Sequence, residues 1–276
     1  MFKKVYLTGD YHAEASRILP LVKRLEKEGT NPAEVAVIIL GDFGMNLIAG
    51  CGIPEYEDYF NKEKKILEDS GITFFVVRGN HDQRPTNLFN SEKWHFEQMF
   101  DGPTYVENDY PHIHYAMDYP WVYNVNGYKT LVLPGAISVD IFFRLADEKK
   151  TGIKTWYEDE VMSDAEMEYA RSLCRQNDWT FDMVLSHTCP AWCFPLSSPN
   201  WGAKQKMEKF FNELYFAFRE KNGYKGWAWG HHHQDTLYAK EGDKSIEACL
   251  YYKYIDVEDF MNHNIDGLDV YDLRRE

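Results

Sequence analysis

The chain has 276 residues, of which 44% are hydrophobic and 16% aromatic, and this apolar content excludes an intrinsically disordered protein and predicts a sizeable core. The formal net charge of −14 disfavours a generic nucleic-acid binder, which presents a basic face, although bound divalent cations can reverse the sign locally. The 5 cysteines have no disulfide-framework spacing, no secretory leader precedes the first predicted strand, and no apolar run is long enough to span a membrane, so we expect a cytoplasmic protein.

Short runs of β-branched and aromatic residues predict strands, and each run ends in a polar cluster. In chain order they are Val5–Leu7 before TGDYH, Val35–Leu40 before GDFG, Thr73–Val77 before RGNHD, Lys129–Leu133 before PGA, Phe181–Leu185 before SHT, and Gly226–Trp229 before GHHHQD. Continuous apolar runs are typical of strands buried on both faces. The residues alone therefore favour an α/β architecture with a parallel sheet.

Helical patterns lie between these runs. Ala13–Glu28 has an apolar stripe in which Pro20 predicts a bend or a late start, and Ser163 with Glu166 resembles a capping box that opens a helix to about Arg175. Two further helices are predicted at Glu55–Asp69 and Gln205–Lys221.

Two segments fit this alternation poorly. Pro85–Val125 reads as loop-like and aromatic, and Asp140–Asp159 reads as irregular and charged. We expect a single domain over residues 1–276 with insertions around 84–127 and 140–180, gathered near one functional edge at the carboxyl ends of the strands.

The polar strand ends supply one set of oxygen and nitrogen ligands. Each of them alone is ordinary turn chemistry, but together they offer the donors that suit Mn, Fe, Zn or Ni. A spacing of two residues in extended backbone places Asp10 with His12, and His231 with His233, on the same side, so His232 is expected to face away. The set is large enough for two ions that share a carboxylate, as in enzymes that catalyse in-line displacement. Cys189 and Cys193 lack partners at zinc-site spacing, and we interpret them as structural.

The blocks GDYH, LGDFG, RGNHD, SHT and GHHH occur in this order and resemble the signature of the calcineurin-like metallophosphoesterases over residues 5–235. A further stretch, GAISVDIFFR, is similar to bacterial and phage members of that family. The resemblance implies a four-layer α-β-β-α sandwich of two mixed β-sheets flanked by helices, in place of one parallel sheet.

The resemblance also implies a role for each residue of the set. One metal would be held by Asp10, His12, Asp42 and His233, and Asp42 would bridge to a second metal held with Asn80, His187 and His231. His81 would be the general acid, with Asp82 orienting its imidazole. Two divalent ions are expected, and manganese is favoured.

The expected activity is hydrolysis of a small phosphoester or a nucleotide by a metal-bound hydroxide. Asn80, Arg78, Arg84 and Arg144 are candidate contacts to the phosphate, because amide and guanidinium groups donate hydrogen bonds to that anion. The alternatives are a nuclease or phosphodiesterase on RNA or DNA, which the acidic charge disfavours, and a non-catalytic metal-binding scaffold. GDFGMN lacks the aspartate and arginine of the Ser/Thr protein phosphatase branch, so that substrate class loses support.

Overall fold

The computed structural model describes residues 1–47, 53–193, 206–239, 245–265 and 269–272, and these form two β-sheets packed face to face. The strands in chain order are β1 (Lys4–Thr8), β2 (Val35–Leu40), β3 (Thr73–Val77), β4 (Trp94–Met99), β5 (Gly102–Glu107), β6 (Ile113–Ala116), β7 (Trp121–Val125), β8 (Tyr128–Leu133), β9 (Met183–Ser186), β10 (Gly226–Trp229), β11 (Thr236–Ala239), β12 (Ile246–Cys249), β13 (Ile255–Asp256) and β14 (Asp269–Asp272). The α-helices are α1 (Leu19–Glu28), α2 (Pro54–Asp69), α3 (Pro85–Leu88), α4 (Ile141–Thr151), α5 (Asp164–Gln176), α6 (Lys206–Lys221) and α7 (Val257–Met261).

Both sheets are mixed. The first has the strand order β13-β1-β2-β3-β6-β5-β4, and the second has the order β14-β11-β12-β10-β9-β8-β7. Strands β1, β2, β3 and β6 run parallel, as do β8, β9, β10 and β12, while the outer pairs β4–β5 and β7–β8 are antiparallel. The expected arrangement of two mixed sheets is confirmed, and the single parallel sheet that the residues alone favoured is wrong.

Strand β2 shows why the central strands read as unbroken apolar runs. Its alternate residues Ala36, Ile38 and Leu40 belong to the core between the sheets. Val35, Val37 and Ile39 point the other way, into a second core that includes Leu21 and Leu25 of α1. Because both faces are covered, every position of the strand is buried, and each of its valine, isoleucine and leucine side chains contributes roughly 1.5–3 kcal/mol.

The predicted helices are present, with small shifts at their ends. A 3₁₀ turn at Ala15–Ile18 precedes α1, which places Pro20 in the first turn of the helix and confirms the late start. The capping box before α5 is complete, since the Ser163 side chain accepts from the backbone N–H of Glu166 and the Glu166 side chain accepts from the N–H of Ser163. Helix α6 begins at Lys206 within the described residues, and Gln205 lies outside them.

The two segments that fitted poorly have regular structure. Residues 94–116 form β4, β5 and β6, which extend the first sheet, and β7 joins the edge of the second through a hairpin turn at Asn126 and Gly127 with φ of 50° and 99°. Trp94, Phe96, Tyr105, Tyr115, Trp121 and Tyr123 are aromatic residues of these strands, so much of this segment is sheet rather than loop. The charged segment contains α4, whose apolar period is absent because Arg144 is its one buried residue.

None of the described helices combines the length and the apolar character that crossing a bilayer requires.

Candidate metal centre

The carboxyl ends of the central strands of both sheets meet at one edge of the sandwich. The loops after β1, β2 and β3 bring Asp10, Asp42 and Asn80 from the first sheet, and the loops after β9 and β10 bring His187 and His231 from the second. All the ligands expected from the sequence therefore converge where ligands of α/β sheets gather.

The first donor group consists of Asp10, His12 and His233, whose ligand atoms lie within 4.8 Å of one another. The Nε2 atoms of His12 and His233 are 2.8 Å apart, and His233 Nε2 is 3.1 Å from Asp10 Oδ2. The backbone N–H of His231 donates to both oxygens of Asp10, at 2.9 and 3.1 Å, and this fixes the carboxylate.

The second group consists of Asp42, His187 and His231, again within 4.8 Å. His187 Nε2 lies 3.1 Å from Asp42 Oδ1 and 3.0 Å from Asn80 Oδ1. Its Nδ1 is 2.7 Å from the carbonyl oxygen of Leu40, and donation there directs Nε2 toward the ligand position. Burial lowers the pKa of His187, but the carboxylates of Asp42 and Asp10 outweigh it and raise that pKa to about 9.

Asp42 lies between the two groups. Its Oδ2 is 3.9 Å from His12 Nε2, while its Oδ1 faces His187. Imidazole nitrogens and carboxylate oxygens are the donors that borderline divalent cations prefer. Asp42 belongs to the group with His187 and His231 and also to a third group with His12 and His81, so its carboxylate lies between the two sets of donors. The residues present therefore fit a pair of divalent cations.

The centre is closed on one side and open on the other. His187 is fully buried beneath it, whereas the side chains of His12 and His81 are each 27% exposed and that of His233 is 49% exposed. A substrate must therefore approach from the side of these three imidazoles.

Four of the ligand residues have a left-handed backbone, which only glycine adopts without strain. The φ angles are 48° at His12, 47° at Asp42, 67° at His231 and 52° at His233. Such strain costs on the order of 1–3 kcal/mol per residue and is concentrated at functional sites.

Glycine is required where the loops approach most closely. A Cβ atom on Gly79 would lie 2.2 Å from Asp42 Oδ1, and one on Gly230 would lie 2.2 Å from Asp10 Oδ1. The glycines of the RGNHD and GHHH blocks have no side chain, and this leaves room for the carboxylates of Asp42 and Asp10 beside them.

His81 lies at the open side, but its partners differ from those expected. Its backbone N–H donates to Asp42 Oδ1 at 2.7 Å, and its Nε2 contacts Nη2 of Arg144. Burial lowers the pKa of His81 to about 4; the charge of Asp42 opposes this shift and that of Arg144 adds to it.

The carboxylate of Asp82 does not reach the imidazole of His81. It accepts hydrogen bonds from the backbone N–H groups of Phe43, Gly44 and Gly79, at 3.2, 2.8 and 2.8 Å. Asp82 thus ties the loop after β2 to the loop after β3, and its role in orienting His81 stays a prediction.

The three candidate arginines have different surroundings. Arg78 is 2% exposed and donates to the carbonyl oxygen of Glu160 at 2.6 Å, and burial lowers its pKa to about 10. Arg84 forms a two-point ion pair with Glu166 and donates to backbone carbonyls. Arg144 alone of the three reaches the centre, where its Nη1 donates to the carbonyl oxygen of Asn80 at 3.2 Å.

His232 faces away from both groups, with its Nε2 3.3 Å from Cys189 Sγ.

Sequence reasoning missed three neighbours of the centre. Tyr251 stacks on the His233 ring at 4.6 Å, and Ser138 and Glu160 lie behind Asn80. Ser138 lies after the end of β8 and Tyr251 after the end of β12. This position after a strand is the sequence feature from which their proximity to the centre could have been predicted.

The comparison with protein families agrees with this geometry. A model described as "Calcineurin-like phosphoesterase" matches residues 3–235, which is most of the chain. The chain belongs to the calcineurin-like phosphoesterase family. It is therefore a metallophosphoesterase, and the family uses divalent metal ions and acts on phosphoester substrates.

Solved structures are similar to this chain at low identity, and the first of them shows the same fold. One crystal structure matches with a TM-score of 0.50 and 12% identity, covering 94% of this chain and 96% of its own. The protein TT1561 of Thermus thermophilus has a TM-score of 0.46 and 13% identity, covering 93% of this chain and 98% of its own. AQ665 from Aquifex aeolicus has a TM-score of 0.41 and 14% identity, with 95% and 99% covered. No curated protein matched the sequence of this calcineurin-like phosphoesterase.

Proposed function

We propose that the protein hydrolyses a small phosphoester or a nucleotide at a centre of two divalent cations. The observation that supports this most strongly is the position of Asp42, which belongs to the group of His187 and His231 and whose Oδ2 lies 3.9 Å from His12 of the other group. The net charge of −14 favours a small substrate over a nucleic acid.

The first cation would be held by Asp10, His12, Asp42 and His233, and the second by Asp42, Asn80, His187 and His231. When bound, two such cations lower the pKa of water at the centre and offset the negative charge of the phosphoester. Manganese is our first choice, because it accepts a mixed set of oxygen and nitrogen ligands.

The open side of the centre supplies the remaining groups. The Arg144 guanidinium is positioned to bind a phosphate oxygen, and His81 is positioned to give a proton to the leaving oxygen. Burial and the neighbouring guanidinium lower the pKa of His81, and the negative charge of a bound phosphoester would raise it again.

The experiment is hydrolysis of bis-p-nitrophenyl phosphate and p-nitrophenyl phosphate after EDTA treatment, with and without added Mn²⁺. We expect Mn²⁺-dependent turnover of at least one ester. His81→Ala should lose about 10²–10⁴-fold in kcat, and Asp42→Asn should lose metal and activity together.

The matched control is His232→Ala, which removes an adjacent imidazole outside both donor groups and should remain active. Full activity in His81→Ala would contradict the general-acid role of His81 but would be compatible with the proposed metal centre. Absence of metal-dependent turnover of either ester would favour a metal-binding scaffold.

A further inference from the structure

A chain of hydrogen bonds runs from Glu160 through Ser138 to Asn80. The hydroxyl of Ser138 donates to Glu160 Oε2 at 2.5 Å, and the backbone N–H of Ser138 donates to Glu160 Oε1 at 2.7 Å. The same Ser138 Oγ accepts from Asn80 Nδ2 at 3.2 Å. All three side chains are buried, at 2–3% exposure.

In this series of hydrogen bonds, the chemistry of the side chains decides which group donates and which accepts. An ionised carboxylate only accepts hydrogen bonds, and a serine hydroxyl has a single hydrogen to donate. Because Ser138 gives that hydrogen to Glu160, only lone pairs of its oxygen remain to face Asn80. The amide of Asn80 must then turn its NH₂ group toward Ser138 and its Oδ1 toward His187 Nε2.

The two ends of an asparagine amide have nearly the same shape but opposite polarity. Rotated by a half-turn, Asn80 would present NH₂ to the position where the second cation is proposed, and a cation repels an N–H donor. The orientation of this amide therefore decides whether Asn80 is a ligand at all.

We propose that Ser138 and Glu160 are positioning residues that fix the amide of Asn80 with its oxygen toward the second metal. This inference rests on the proposed two-metal centre. It assigns a role to Ser138, in the loop after β8, and to Glu160, in a 3₁₀ turn at Glu158–Glu160.

Glu160 is itself held in place by a buried arginine. Arg78 Nη1 donates to the backbone carbonyl of Glu160 at 2.6 Å, and the backbone N–H of Gly135 donates to the carbonyl of Arg78 at 2.7 Å. Burial raises the pKa of Glu160, while its hydrogen bonds from Ser138 lower it. The interior arginine thus anchors the turn that carries the carboxylate.

The test measures metal content rather than turnover. Wild type, Ser138→Ala, Ser138→Thr and Glu160→Gln are loaded with Mn²⁺, desalted and analysed for manganese per chain, and the affinity of each site is titrated. We expect two ions in wild type, and in Ser138→Ala a roughly 10–100-fold weaker second site with the first unchanged.

Ser138→Thr keeps the hydroxyl and should restore the second site. Glu160→Gln should weaken it, because the glutamine NH₂ group replaces one of the two oxygens that accept from Ser138 and places a donor against a donor. The matched control is Thr130→Val, which removes a buried hydroxyl of β8 that donates to the Tyr128 carbonyl. That variant should bind two ions.

An Asn80→Asp background separates positioning from packing. A carboxylate has no amide polarity to fix, so Ser138→Ala should cost little further affinity in that background. An equal loss in both backgrounds would overturn the inference, as would wild-type affinity in Ser138→Ala. Fewer than two ions in wild type would instead overturn the proposed centre, and the inference with it.

Discussion

Three consecutive imidazoles have three different surroundings. His231 belongs to the group of Asp42 and His187, and His233 belongs to the group of Asp10 and His12. His232, between them, has Nε2 3.3 Å from Cys189 Sγ. The left-handed backbone at His231 and His233 is what turns their side chains to the same centre.

We predict that the three alanine variants separate by metal content. His231→Ala should lose the second ion and His233→Ala the first, whereas His232→Ala should retain both, since its imidazole lies outside both groups. Manganese analysis of the desalted proteins checks this. Loss of an ion from His232→Ala would contradict it.

The strained backbone gives a second prediction at the residue scale. In metal-free protein, His12→Gly should be more stable than His12→Ala by about 1 kcal/mol, because alanine at a φ of 48° keeps the strain and glycine does not. Urea unfolding measures the difference. At Glu14, where φ is −106°, glycine should instead be the less stable replacement.

The side chains that converge at the candidate metal centre could be predicted from the sequence, and the hydrogen-bond partners of their neighbours could not. Asp10, Asp42 and His187 follow apolar strands in recognisable blocks. The roles of Asp82 and Arg78 depend on which backbone groups face them in the folded chain, and no local pattern records that. In the folded chain both are buried and bound to backbone groups.

At the scale of elements, prediction succeeded where burial leaves a clear apolar pattern. Strands β2 and β10 are buried at every position, helix α5 buries one face, and all three begin and end close to their expected bounds. Helix α4 has one buried residue, Arg144, whose guanidinium contacts the centre, and Phe142 and Phe143 on it are 72% and 81% exposed. Because α4 packs through a polar side chain, its sequence has no apolar periodicity from which a helix could be predicted.

Helix α6 carries a buried acid whose titration should affect stability. Burial raises the pKa of Glu208 from 4.5 to about 7, so the folded state retains a proton that the unfolded state has released. Stability contributed by the neutral form is complete below pH 4.5 and is lost as the pH rises through about 7. The loss is up to about 3 kcal/mol.

We therefore predict that Glu208→Gln narrows the difference in urea midpoint between pH 5 and pH 8. Glu220→Gln, at an exposed position of the same helix, should leave that difference as in wild type. If wild type and Glu208→Gln lost the same stability between pH 5 and pH 8, the loss would have to come from a group other than Glu208.

At the scale of the whole molecule, the donor groups connect the two sheets. Asp10 comes from the first sheet and His233 from the second, and Asp42 and His187 repeat this pairing. Ions bound here would link the layers, in the way that any ligand specific for the native state stabilises it.

We predict that Mn²⁺ raises the Tm of the EDTA-treated protein. With each of two sites at about 100 times its Kd, the gain is roughly 5 kcal/mol, or on the order of 10 °C. Differential scanning calorimetry measures the shift, and Asp42→Asn, which lacks the shared carboxylate, should show a much smaller one. An equal shift in that variant would place the binding elsewhere.

The pairing of sheets also has a consequence for the order of folding. His12 and His233 are 221 positions apart, so no early intermediate built from neighbouring segments can bring their imidazoles together. Either sheet could form by itself without creating the first donor group. The protein would therefore bind metal during refolding only when the two sheets dock. A chain that stopped before this step would have no complete metal centre and could not hydrolyse phosphoesters.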